Sequence, residues 1–333
     1  MRIDELGEFG LIARIADIVG TPGGAVEVGI GDDAAVLKIA GGRLVVSIDA
    51  FVEDQHFRRQ WLTASQIGQR GTRAALSDVA AMGAVACAVL VSAGFLPGED
   101  ASYAEELLDG VHEAATAFGA ALAGGDTLAS SEGVSLDIVA VGEVDRPWLR
   151  STAQAGDVIM VTGALGEAAA ALHLLETGAA GSAEALPKAL RDRFASPTPR
   201  FDVVKCLHGL PQTPCVIDIS DGLVQDAGHI ATASAVALTI HASHLPIAPP
   251  CRQVAADAGE DPLQWALSSG EEYELLLTIP GDLAEQAQTL AEAGGIELTK
   301  IGFVAEGQGV AVLDVSGQPI DVDSAGWDHF RRK

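Results

Sequence analysis

Basic residues are scarce in this 333-residue chain: 20 Lys and Arg stand against 46 Asp and Glu, a formal charge of −26. So acidic a surface repels nucleic acid and anionic lipid, which argues against both as partners. No Gly-Lys dipeptide occurs anywhere, so the phosphate loop GxxxxGK[ST] is excluded. The four cysteines, Cys87, Cys206, Cys215 and Cys251, form no CxxC pair and show no metal-ligand spacing. They read as reduced packing residues of a cytosolic protein. No apolar run reaches the length of a membrane span. The start, MRIDELGEFG, lacks the basic-then-apolar order of a signal peptide. Together these absences point to the cytoplasm.

What remains is a globular composition, 48% hydrophobic and 20% charged, long enough for two domains. Residues 1–20 read as an amphipathic helix with Phe9, Leu11, Ile12, Ile15 and Ile18 on its apolar face. Strand-like RLVVSIDAFV, helical ASQIGQRGTRAALSDVAAMGA, strand-like ACAVLVSAGF, helical ASYAEELLDGVHEAATAFGA and strand-like VSLDIVAVGEV follow in turn. After DRPWLRSTAQAGD the alternation restarts with VIMVTG and EAAAALHLLETG. The fold class expected is therefore α/β (α+β) in two domains, residues 1–146 and 147–333.

Carboxylates occur in unusual company. Asp32 and Asp33 sit in GIGDDAAVL, Asp49 follows LVVSI, and Asp78 lies in AALSDVAAMGA. Asp126 stands in ALAGGDTLA, and Asp218 and Asp221 in VIDISDGL. Small or apolar neighbours surround them all, and most close strand-like segments. Gly29-x-Gly31-x-x-Ala34 matches a dinucleotide-binding turn, but Asp32 and Asp33 would face the pyrophosphate unscreened, and the crossover to the next strand is too short. A second turn, Gly163-Ala-Leu-Gly166, could present amides to an anion. Glu167 competes there, so a structural βα turn is expected. Buried acids without partners are costly and repel one another. Divalent cations relieve that cost, and Mg²⁺ held by several carboxylates suits a polyphosphate.

In order, GEFGLIARI, GIGDDAAVL, SIDAFVEDQHF, LSDVAAMGA, GGDT, IDISDGLVQDAGHI, SGEEYELL and GWDHF resemble the motif series of the thiamine-monophosphate kinase family. That family belongs to the aminoimidazole ribonucleotide synthetase superfamily, and the resemblance spans nearly the whole chain. It implies an N-terminal domain that pairs with a second copy in a dimeric β-barrel, and a C-terminal α/β domain. ATP and several Mg²⁺ ions would lie in a cleft near that interface. Position by position, it implies metal ligands Asp33, Ser47, Asp49, Asp78, Asp126, Asp218 and Asp221. It implies ATP contacts at Gly125, Asp126, Arg150 and Ser220, and thiamine monophosphate contacts at His56, Glu271 and Trp327. Read alone, each has a plainer alternative: His56 as an exposed loop histidine, Trp327 as a packing residue and Arg150 as a surface arginine.

The chain departs from the family pattern at Ile48 and Ala50, at Ala75, and at Ser269 and Glu272, leaving the acids intact. The reaction implied is ATP-dependent phosphorylation of thiamine monophosphate to thiamine diphosphate by direct in-line transfer. Its nucleophile is an ionised phosphate oxygen, so no covalent protein nucleophile is expected. Two alternatives stay open: another ATP-dependent enzyme of the superfamily, such as a purine-pathway cyclase, and a non-catalytic nucleotide or Mg²⁺-binding paralogue.

Overall fold

The computed structural model describes residues 7–20, 24–322 and 326. Helix α1 (Glu8–Val19) comes first, followed by strands β1 (Val26–Val28), β2 (Ala35–Ile39) and β3 (Gly42–Val52). Helix α2 (Ala64–Ala81), strand β4 (Val85–Phe95), helix α3 (Ala101–Ala117), and strands β5 (Ala121–Ala129) and β6 (Ser135–Val144) complete the first half. These strands make one sheet in the order β1-β2-β3-β6-β4-β5. Only the β4–β5 pair is parallel. Among the described residues the sheet is open, with β1 and β5 as its edges, and does not close into a barrel.

Alternation decides what each strand presents. In β3, Val45, Ser47 and Phe51 are buried, while Ile48 is 66% exposed. Asp49 shares the inner side with Ser47, because successive residues of a strand point to opposite faces. Against that inner side lies α2. Thr63 starts α2 with a capping box, its side chain taking the Gln66 amide proton while Gln66 returns the bond. Gly68 of α2 and Gly110 of α3 let the two helices close up. A Cβ at either position would strike the other helix's backbone, at Leu107 or Ser65.

The second half contains β7 (Asp157–Thr162), α4 (Glu167–Glu176), α5 (Lys188–Ala195), α6 (Phe201–Leu207), β8 (Cys215–Asp218) and α7 (Leu223–Ser234). It continues with β9 (Ala237–His241), α8 (Pro249–Ala258), α9 (Pro262–Ser268), β10 (Leu275–Pro280), α10 (Ala284–Ala293), β11 (Leu298–Ala305) and β12 (Gly309–Leu313). Its sheet runs β12-β9-β11-β7-β10-β8. Strand β7 is buried throughout, because helices cover both faces, and it accordingly reads DVIMVT without alternation. Ile159 and Val161 face one core with α7, whereas Val158 and Met160 face another with α6 and α10. That second core also takes Ala80 and Ala81 from the end of α2, together with the buried Trp148. The two sheets are thus clamped with the C-terminal ends of α2 and β8 side by side.

The turn at Gly163–Gly166 is structural, as its sequence suggests, and an internal anion fills it. Glu272, 1% exposed, accepts the amide protons of Gly166 at 2.7 Å and Ala168 at 3.2 Å at the start of α4. Arg193 lies 3.6 Å from its second oxygen. Burial pushes this carboxyl up to about 7 against the pull of Arg193 and the two amides. The Glu272→Gln variant keeps an acceptor for the amides but loses the charge facing the helix start. Because the raised carboxyl means that its charge is disfavoured in the folded protein, a denaturant melt above pH 7 is expected to show the variant at least as stable as the unaltered protein.

Candidate active site

Four segments bring acids to one place. The turn before β2 supplies Asp33, the inner face of β3 supplies Asp49, α2 supplies Asp78, and β8 ends on Asp218. Carboxylate oxygens of Asp33, Asp78 and Asp218 all lie within 4.8 Å of one another. Ser47 donates its hydroxyl proton to Asp78 in a short contact, and Ser77 donates to Asp218 at 2.6 Å. Asp33 Oδ2 is buried with no hydrogen-bond partner. Such a cluster of oxygen donors has the chemistry of a hard-cation site, since uncompensated like charges this close are costly.

Electrostatics report the same crowding. Burial, with Asp218 and Asp32 adding to it, pushes Asp33 up to about 8 despite the opposing pull of Arg150. Asp49 rises to about 6 from burial and from the fields of Asp218 and Asp221. Asp78 rises well above the carboxylate range through burial and the charges of Asp49, Asp218 and Asp33. Each of these acids holds its proton more tightly folded than unfolded. Below the unfolded value of about 4, both states are protonated. Between there and the raised folded values, rising pH strips the unfolded chain first and so favours unfolding. The melting temperature of the protein in EDTA is therefore expected to fall from pH 5 to pH 8, and millimolar Mg²⁺ to restore it. A flat profile in EDTA would contradict this reading of the cluster.

Asp32 has a distinct task. Arg150 Nη2 donates to Asp33 Oδ1 at 2.5 Å, while Arg150 Nε stands 3.5 Å from Asp32 Oδ1. The Arg150 backbone amide also points at Asp32, at 3.3 Å. Asp33 is 3% exposed and Asp32 4% at the side chain. The adjacent acids bracket one guanidinium, Asp32 steering it and Asp33 sharing it with the cluster. Arg150 arises just past the first sheet, so the pair also ties the two halves together.

A cavity of about 690 Å³ opens beside the acids, between the halves. Its lining includes Asp49, Asp78, Asp218, Ser220 and Asp221, together with Trp61, His173 and Trp265. The His173 and Trp265 rings lie 5.3 Å apart. His56 also lines the cavity. Its Nδ1 accepts the Val52 amide proton at 3.0 Å, which leaves the ring proton on Nε2. Glu271 lines the cavity from a loop whose backbone is left-handed at Glu271 (φ 63°) and Tyr273 (φ 51°). The loop is pinned to the end of β8, where the Glu271 amide donates to Ser220 O at 2.8 Å and that of Tyr273 to Ile219 O at 2.9 Å.

Asp221 belongs to a neighbouring group with Asp226 and His229, again with ligand atoms within 4.8 Å. Asp226 accepts the amide protons of Gly222 at 3.0 Å and Asp221 at 3.3 Å, fastening the turn into α7. Gly125 and Asp126 stand apart from the cavity. Both lie on the edge strand β5, where Asp126 pairs in register with Ser92 and is exposed. A Cβ at Gly125 would overlap the Val91 carbonyl, so glycine is required for the β4–β5 pairing. Trp327 lies outside the described residues. Trp61, in the turn before α2, and His173 and Trp265, on helices, were missed by motif reading, since single rings carry no spacing signal.

Comparison with known proteins covers nearly the whole chain. The AIR synthase related protein N-terminal domain matches residues 31–144, and the C-terminal domain of that family matches 154–315. A thiamine-monophosphate kinase of Aquifex aeolicus is 33% identical over 99% of this chain and 100% of its own length. One from Mycobacterium tuberculosis is 36% identical over 86% and 85% of the two chains. Among solved structures, that of AaThiL complexed with AMPPCP and TMP superposes with a TM-score of 0.85 at 32% identity, covering 99% of both chains. With both domain families matched in order and full-length relatives above 30% identity, the chain belongs to the thiamine-monophosphate kinase family of AIR synthase-related proteins.

Proposed function

We propose that the protein transfers the γ-phosphoryl group of ATP to thiamine monophosphate, giving ADP and thiamine diphosphate. The observation that carries this reading is the convergence of Asp33, Asp78 and Asp218, two of which line a cavity that also presents Trp61, His173 and Trp265. Asp33, Ser47, Asp49, Asp78, Asp126, Asp218 and Asp221 are proposed to hold Mg²⁺. The unpartnered Asp33 Oδ2 supports that donor set. When bound, Mg²⁺ would neutralise phosphate charge and hold donor and acceptor together.

The chain's own groups do the rest. Arg150, Ser220, Gly125 and Asp126 are proposed to contact ATP, with Arg150 offering a planar cation to phosphate oxygens. His56 and Glu271 are proposed for the acceptor, joined by Trp327. A carboxylate and aromatic rings suit a cationic thiazolium. The attacking phosphate oxygen is already ionised near neutral pH, so positioning replaces a general base. In this reading residues 1–146 carry most metal and nucleotide contacts, and residues 147–333 complete the acceptor side.

A homodimer belongs to the same proposal. Strand β5 is an exposed edge, and Ile48, Val85 and Leu128 leave an apolar outer face on the first sheet (66%, 63% and 49% exposed). A second copy laid there would form the shared barrel and cover Asp126. Action in the cytoplasm is supported by four free cysteines. No described helix is long and apolar enough to cross a membrane. Incubation with Mg-ATP and thiamine monophosphate, followed by phosphorus NMR, tests the activity. Resonances of ADP and thiamine diphosphate are expected, and ATP left intact would overturn the assignment.

A further inference from the structure

Arg70 sits in the middle of α2, two turns before Asp78, and is 1% exposed. No motif singles it out, and it does not line the cavity. Its guanidinium nevertheless joins three pieces of the structure. Nη2 donates to Glu271 Oε1 at 2.5 Å, and Nη1 donates to the Phe194 carbonyl in a short contact at the end of α5. The guanidinium carbon stands 4.2 Å from the Phe194 ring centroid. Arg70 Nε is buried without a hydrogen-bond partner. An arginine is costly to bury in this way, and its planar fork suits holding two acceptors at fixed angles.

The acceptor that matters is Glu271. Its side chain is 32% exposed, opening onto the cavity, while its backbone holds a left-handed conformation uncommon for a residue with a Cβ. Such a conformation persists where surrounding contacts over-determine it. Here the loop's hydrogen bonds to β8 fix its backbone, and Arg70 fixes its carboxylate. Because Arg70 and Asp78 share one helix, the same rod sets the acid cluster and the Glu271 side chain in mutual register.

We propose that Arg70 is a positioning residue for the phosphoryl acceptor: it orients Glu271 toward the cavity and ties acceptor recognition to the helix bearing Asp78. The inference rests on the kinase reading above. Steady-state kinetics of Arg70→Met, Arg70→Lys, Glu271→Gln and the Arg70→Met/Glu271→Gln double variant test it. In Arg70→Met, KM for thiamine monophosphate is expected to rise about tenfold or more, the scale of one lost charge-assisted bond. KM for ATP should stay within about twofold, since the Arg70 guanidinium bonds to none of the proposed ATP contacts. Arg70→Lys should fall between, keeping the charge but only one of two bonds. The double variant should be no worse than the poorer single one, because both remove the same interaction.

A merely structural arginine would lower stability and active fraction without moving one KM selectively. Should Arg70→Met fail to fold, Arg70→Lys and Glu271→Gln alone and combined carry the same comparison. An unmoved acceptor KM in the folded Arg70 variants, or fully additive effects of the two sites, overturns the inference alone. Absence of turnover in the unaltered protein overturns the kinase reading, and this inference with it.

Discussion

The Asp218→Asn variant is expected to lose phosphoryl transfer by on the order of 10³-fold, the scale of removing one preorganised electrostatic group. It should nevertheless melt at or above the temperature of the unaltered protein in EDTA. Asp218 is 2% exposed, and its carboxyl is raised by burial, with the hydrogen bonds of Ser77 and Ser220 pulling the other way. Asparagine keeps the shape and can still accept the Ser77 proton, but adds no charge to the cluster. A structural acid would give the opposite pattern, with activity held and stability lost. Thiamine diphosphate formation and a thermal melt, each with and without Mg²⁺, separate the two. Near-normal turnover would remove Asp218 from the site.

Arg150→Met is expected to harm both properties. It strands Asp32 and Asp33, each nearly inaccessible at the side chain, and breaking such a buried pair costs about 3–5 kcal/mol. Burial opposes the charge on Arg150, yet Asp33 and Asp32 outweigh it and hold the guanidinium protonated. Once it is gone, both acids bind protons more tightly still. The stability deficit should therefore shrink from pH 8 to pH 5, as the stranded carboxyls neutralise. Denaturant melts at the two pH values check this, and turnover should fall alongside. A variant as stable as the unaltered protein at pH 8 would show that the bracket around Arg150 carries no energetic role.

Local patterns foretold the elements that position the site. RLVVSIDAFV reads as the strand that carries Ser47 and Asp49, and the Ala-rich run as the helix that carries Asp78. Strand β5 was harder to read, because ALAGGDTLA holds two glycines and its pairing depends on close approach to Val91. The acids' convergence could be argued only from cost and resemblance, since the cluster joins residues from both halves. Asp32 stayed unassigned for the same reason: its partner, Arg150, lies 118 positions away. Glu272 looked like a mere departure from the family pattern. Its carboxylate in fact reaches the α4 amides across 106 positions. The rings that line the cavity, Trp61, His173 and Trp265, gave no local signal at all.

At the centre of the account is a division of labour in which buried acids and Arg150 serve a direct transfer, with no phosphorylated protein side chain between donor and acceptor. ATP carrying an isotopically chiral γ-phosphate tests it most directly, through the configuration at the transferred phosphorus of thiamine diphosphate. A single in-line displacement inverts that configuration, and inversion is the expected result. Retention would require two displacements through an aspartyl or histidyl phosphate, and would contradict the account.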